Sequence, residues 1–140
     1  MLKVFLLSIG VLLALLLVYA FSITRDGRQV TPSGEATVKI GTKSFEAFEL
    51  PDYAASFLDG NYKSYFIEVE PGIKIHVLEI GEGYPVYAQH GNPTSGFLYR
   101  KVVSELPTDR VRIIMPTIIG LGFSSKVPAS QHTLENHKRW

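Results

Sequence analysis

Two short stretches combine residue types that chemistry needs. The first, His90-Gly91-Asn92-Pro93-Thr94-Ser95, follows a short apolar run at 85–89 and precedes a helical pattern. A tight turn at the carboxyl end of a parallel strand aims backbone N–H groups into the crevice where α/β sheets bind ligands. A helix opening just beyond it adds a positive end. Negative charge developing on a substrate oxygen would be stabilised by such donors. Gly91 lets the backbone approach closely, and the turn would favour a cis bond before Pro93. His90 has the chemistry of a general base, but a base requires a nucleophile within hydrogen-bond reach. The second stretch, Gly120-Leu121-Gly122-Phe123-Ser124, looks like a nucleophile loop without being G-x-S-x-G, because Ser125 follows instead of a spaced glycine. Other candidates fall away. His132 and His137 have only Glu135 as a nearby carboxylate, so no metal site is expected. Gly81-x-Gly83 and Gly120-x-Gly122 each lack the third glycine and acidic partner of a dinucleotide loop, and no cofactor is expected.

The elements that must position these residues are legible from residue 61 onward. Tyr65, Ile67 and Val69 alternate with Phe66, Glu68 and Glu70; Pro71-Gly72 makes a turn; Ile73, Ile75, Val77 and Ile80 continue between Lys74, His76 and Glu79. Two period-two runs joined by Pro-Gly predict an antiparallel hairpin, with His76 exposed on its polar side. Residues 85–89 make a short third strand. Leu98, Val102 and Leu106 then repeat every four residues, widened by Tyr99 and Val103, as the apolar stripe of a helix that Thr94 or Ser95 caps and Pro107 ends. Val111-Arg112-Ile113-Ile114-Met115 reads as a parallel strand covered on both faces. Ser130 or Thr133 opens a last helix running to Trp140. Hairpin, strand, helix, strand is the order of an α/β sheet with an antiparallel start.

The N-terminus is of another kind. Residues 4–23 are interrupted only by Ser8, Gly10 and Ser22, and Lys3 is the one charge before residue 24. A helix of that length spans about 30 Å, the thickness of a bilayer's hydrocarbon core. Residues 1–23 are therefore expected to anchor the chain in a membrane by a single pass, the alternative being a signal sequence cleaved on secretion. Residues 24–60 read as a linker arm, with a short helix starting at Pro51-Asp52 and stopping at Asp59-Gly60. Residues 61–140 form the domain. The whole chain of 140 residues carries 14 basic and 13 acidic side chains, a net charge of +1, and no cysteine. No basic stripe exists to neutralise phosphates, so nucleic acid is excluded as a partner. Disulfide scaffolds, thiolate metal sites and cysteine nucleophiles are excluded as well.

Taken in order, a strand ending in His90-Gly91-Asn92-Pro93-Thr94-Ser95, a helix, a strand, and Pro116 through Gly120-Leu121-Gly122-Phe123-Ser124 resemble the α/β-hydrolase family. The nearest branch is similar to the haloalkane dehalogenases, with epoxide hydrolases next, from about Tyr65 onward. The resemblance implies an incomplete α/β-hydrolase sheet: the antiparallel hairpin, then parallel strands with helices, here preceded by a transmembrane helix. It implies that the Asn92 backbone N–H serves the oxyanion hole while its side-chain amide binds a departing halide. His90, Gly91 and Pro93 would support the turn structurally, as would the 120–124 segment. Thr117 stands where relatives commonly carry aspartate. A family member also needs a nucleophile on a sharp elbow, an acid and a histidine, in that order. Neither G-x-S-x-G nor an Asp-Trp-Gly elbow occurs. Two expectations follow. The chain is the N-terminal part of a hydrolase acting on small apolar halides, epoxides or esters once the rest is supplied. Alternatively, it is a non-catalytic, membrane-tethered truncated form or pseudo-enzyme that acts as a binding or partner subunit.

Overall fold

A computed structural model describes residues 13–17 and 36–140. The chain divides into two compact units, residues 1–30 and 31–140. In the first unit, residues 13–17 are helical, with Leu13, Leu15, Leu16 and Leu17 exposed. The anchor expected over residues 4–23 falls mostly outside the described residues. Among the described residues, no helix is long and apolar enough to cross a membrane.

The second unit is built on one six-stranded sheet in the order β1-β2-β3-β4-β6-β5. The strands are β1 (Thr37–Ile40), β2 (Lys43–Ala47), β3 (Lys63–Glu70), β4 (Ile73–Ile80), β5 (Tyr84–Tyr87) and β6 (Val111–Pro116). The first four form an antiparallel meander, β6 lies antiparallel to β4, and β5 pairs parallel with β6. The expected hairpin is β3–β4, turning on Pro71-Gly72 with Gly72 at φ 77°, a left-handed conformation that glycine adopts without steric cost. Between β5 and β6 the chain crosses over through a 3-10 turn (Gly96–Tyr99) and the short helix α2 (Arg100–Val103). The mixed sheet with helices is the α/β architecture that the pattern of residues 61–140 predicts.

Three expectations are corrected. Residues 37–47, read as linker, are the β1–β2 hairpin, tied to β3 through Glu46 opposite Phe66 and Ala47 opposite Tyr65. Val38 and Ile40, then Phe45 and Ala47, alternate with Thr, Lys, Ser and Glu on either side of Gly41, but runs of four and five residues that stay half exposed give only a weak period-two signal. Within the remaining stretch, α1 (Asp52–Ala55) does follow Pro51. Secondly, His76 is buried, not exposed. β4 is central in the sheet, between β3 and β6, and groups packed over both of its faces leave His76, Val77, Leu78 and Glu79 all sealed. Thirdly, Leu98, Val102 and Leu106 face outward, while Gly96 and Val103 turn inward and Phe97 and Tyr99 pack against the core. The crossover is short and begins as 3-10, with three residues per turn, so the face selected by a 3.6-residue period is not the one that meets the sheet.

The core on that face is Leu78, Val103, Ile113 and Met115. Gly96 makes the approach possible: a Cβ there would lie 2.6 Å from the Met115 carbonyl oxygen. Phe48, Phe66 and Phe123 enclose the His76 imidazole at centroid distances of 5.3, 5.7 and 5.4 Å. Its Nε2 meets the Ser64 hydroxyl at 2.9 Å. Burial pushes the imidazole's pKa down to about 3, so it is held neutral. On the opposite face Tyr65 donates to the buried Glu79 carboxylate at 2.8 Å, with Arg112 3.9 Å away from the second oxygen. Burial, and then that hydrogen bond, raises the Tyr65 phenol well above its usual range.

Candidate active site

The turn from His90 to Ser95 leaves the carboxyl end of β5, as its spacing predicts. The Asn92–Pro93 peptide bond is cis. His90 is buried and both ring nitrogens are committed. Nδ1 donates to the Gly91 carbonyl at 2.8 Å, and Nε2 accepts from the Ile118 backbone N–H at 3.0 Å. That pair of bonds fixes the tautomer and clamps the turn to the segment following β6. With both ring nitrogens bonded to backbone groups, His90 acts as a strut across the turn. Thr94 completes the turn by donating its hydroxyl to the Gly91 carbonyl at 2.7 Å. Gly91 itself is not in a left-handed conformation, and a Cβ on it would meet nothing within 4 Å. The close backbone approach expected at Gly91 is found instead at Gly96.

Behind the turn, Thr117 takes over a hydrogen bond that its position demands: its hydroxyl accepts from the Gly96 N–H at 3.1 Å. The segment 117–125 then lies along β4. Thr117 N–H donates to the His76 carbonyl at 2.8 Å and Ser125 N–H to the Lys74 carbonyl at 2.9 Å. Ser124, the serine of the nucleophile-like stretch, is buried with its hydroxyl donating to the Thr117 carbonyl at 2.6 Å and accepting from the His76 N–H at 2.9 Å. A hydroxyl engaged on both sides and shut away from solvent ties two segments together and attacks nothing.

Asn92 is exposed and lines a cleft of about 760 Å³ with Tyr87, Gln89, Ile118, Gly120, His132, His137 and Trp140, among others. The structure therefore brings Asn92 to an open, mainly apolar space. His90 lies behind it, and Gly91 and Pro93 are exposed beside it. The expected helix-dipole contribution is confined to one 3-10 turn and a four-residue helix. Sequence reasoning passed over Gln89, whose carbonyl accepts from the Tyr99 hydroxyl at 2.5 Å and whose amide donates to the His90 carbonyl at 3.1 Å. It also passed over the approach of the C-terminal helix α3 (Leu134–Arg139), N-capped by Thr133, whose His137 reaches the cleft. Neither feature carries a local signal, because both depend on packing between segments distant in sequence. Among the described residues, no group of three His, Cys, Asp or Glu side chains is placed to hold a metal ion.

Comparison with known proteins bears on this arrangement. No protein-family model matches the chain. A haloalkane dehalogenase of Agrobacterium fabrum is 42% identical over 69 residues, which are 49% of this chain and 22% of that protein. A cis-3-alkyl-4-alkyloxetan-2-one decarboxylase of Shewanella oneidensis is 40% identical over 77 residues, 54% of this chain and 24% of the relative. The crystal structure of the haloalkane dehalogenase DatA from Agrobacterium tumefaciens C58 superposes with a TM-score of 0.52 at 40% identity, covering 61% of this chain and 28% of that one. The chain thus spans about a quarter of the length of the curated relatives it matches. Over about half of its own length it is similar to α/β-hydrolases of the haloalkane dehalogenase kind, and what it matches is part of that fold, consistent with an N-terminal part.

Proposed function

We propose that residues 61–140 supply the oxyanion- and halide-side turn of a hydrolase acting on small apolar substrates. On this reading a nucleophile outside the 140 residues attacks the substrate carbon, and water then hydrolyses the covalent intermediate. The Asn92 backbone N–H and side-chain amide receive the negative charge that builds on an epoxide or ester oxygen, or on a departing halide. A strained cyclic ester of the oxetan-2-one kind named for the Shewanella oneidensis relative belongs to the same substrate class. The observation that carries the reading is Asn92 at the mouth of an apolar cleft, on a turn braced from behind by His90. The exposed apolar side chains of β5, Tyr84, Val86 and Tyr87, support it further. They lie on a parallel strand at the sheet's edge, where further structure packed over the sheet's faces would bury them.

The test has two parts. The 140-residue chain should not turn over a bromoalkane, an epoxide or a chromogenic ester, and turnover abolished by His90→Ala or Asn92→Ala would overturn the reading. The coding sequence beyond Trp140 should continue in frame into an elbow, an acid and a histidine. An immediate stop codon would favour the non-catalytic partner subunit. In a chain that carries the elbow, Asn92→Ala should lower kcat by about 10²–10³, the loss typical of one oxyanion donor.

Residues 4–23 are proposed to tether this domain to a bilayer, on the strength of their length and of an apolar character broken only by Ser8, Gly10 and Ser22, with no charge. The expressed chain should stay with the membrane pellet after alkaline carbonate extraction. Release into the supernatant, or a product mass lacking the first 20 or so residues, would overturn the tether in favour of secretion.

A further inference from the structure

The cleft that Asn92 lines also carries a cluster that the proposed reaction does not use. His132 follows the 3-10 turn Ala129–Gln131, and His137 stands on α3. Asn136 donates its side-chain amide to the Gln131 carbonyl at 2.8 Å, and its backbone N–H to the Thr133 hydroxyl at 3.2 Å, so the two segments are pinned together. The His132 ring rests on Gly120, where a Cβ would come within 2.3 Å of its Cε1. As a result His132 Nδ1 and His137 Nε2 face one another at 3.1 Å, with the rings inclined by only 28°.

In the metal-free pair one proton lies between those nitrogens. Their separation is also close to the N···N distance of two imidazoles on one tetrahedral ion, about 3.3 Å for bonds of roughly 2.0–2.1 Å. We propose that His132 and His137 form a bis-imidazole site for a borderline divalent cation of the Cu²⁺, Ni²⁺ or Zn²⁺ class, the metals that imidazole suits. On binding, the shared proton moves to the far nitrogen of the ring that carried it. Both facing lone pairs then go to the metal, and no redox change is required. The far nitrogens make no hydrogen bond among the described residues and are available for that proton. Water completes the coordination, since no third His, Cys, Asp or Glu joins the pair among the described residues. His132 is exposed and His137 half-buried, and both line the open cleft, which gives the ion access. The chain's other two histidines do not compete: His76 is sealed in the sheet and His90 has both nitrogens engaged.

The sole tryptophan reports on the site. Trp140 meets His137 edge-on at 5.3 Å between centroids, within quenching range of a bound Cu²⁺ ion. Titrating the full chain in mild detergent with Cu²⁺ should quench Trp140 fluorescence saturably. His132→Gln and His137→Gln should each weaken that binding at least about tenfold, because even second-shell losses cost about 10–100-fold. Absence of saturable quenching would overturn the proposal, as would quenching that survives either substitution. Should a variant lose its helical circular dichroism, electron paramagnetic resonance of the Cu²⁺-loaded wild-type chain decides. Coupling to two imidazole nitrogens supports the pair, and coupling to one or none overturns it.

Discussion

The middle of the sheet and its β5 edge are made of similar residues put to opposite uses. Around β4, polar groups are buried and engaged: His76 with Ser64, Ser124 with Thr117 and the His76 backbone, Tyr65 with Glu79. Along β5 and its turn, apolar side chains are exposed, and the Asn92 amide faces open space. His76 and His90 are sealed, whereas His132 and His137 look into the cleft. Buried polar atoms must be satisfied at the moment of folding, so they specify one arrangement of the chain. Exposed ones are left for whatever arrives later. The interior therefore holds the shape, while the edge leaves its polar groups open to the cleft.

The contrast can be broken first where it is strongest. Leu78→Ala empties a fully buried site between Val103, Ile113 and Met115 and should cost about 2–5 kcal/mol, read from the shift in urea midpoint. Leu134→Ala, at a residue 91% exposed, should stay within about 0.5 kcal/mol. Equal effects would mean that the packing described for the sheet is wrong.

Acid provides the next probe. His76 is held neutral down to about pH 3 in the folded chain, while an unfolded histidine takes up a proton near pH 6.5. Between those values the unfolded state binds more protons, so stability should fall as pH drops below about 6.5, by up to about 1.4 kcal/mol per unit. Subtracting the pH profile of His76→Phe isolates this histidine. An identical slope in both proteins would show that the ring is not sealed.

His90→Ala removes the acceptor of the Ile118 N–H and should destabilise the chain by about 1–3 kcal/mol, the cost of orphaning a buried donor. The smallest expected effect is the most informative about function. Asn92→Ala should leave the urea midpoint unchanged within about 0.5 kcal/mol, because the side chain is exposed. A large loss of stability there would move Asn92 from the chemistry to the scaffold.

Much of this was legible from local pattern. Alternation with Pro71-Gly72 marked the β3–β4 hairpin, the unbroken apolar run marked β6, and Pro51 and Thr133 marked helix starts. The turn after a short strand was readable from its residues, which favoured a cis bond before Pro93; the structure shows the Asn92–Pro93 bond to be cis. Other features were invisible for physical reasons. The β1–β2 hairpin has alternating Val38, Ile40, Phe45 and Ala47, but its strands are four and five residues long and half exposed at the sheet's edge, too short for the alternation to stand out from a linker. Burial of His76 depends on Phe48 and Phe123, which lie 28 and 47 residues away along the chain. The four-residue spacing of Leu98, Val102 and Leu106 described a helix correctly in type but not in facing, because Gly96 and Val103 set the contact.

Sequence by itself determined the element order of residues 61–140, the turn that carries Asn92 and the near-neutral charge of the chain. These rest on backbone preferences and side-chain types, which act over a few residues. Only the tertiary structure decided that His90 is a strut, that Ser124 is a tie and that His132 meets His137 beside the cleft. Each of those roles is set by which hydrogen-bond partner or ring a side chain finds across the fold, and no local pattern encodes that.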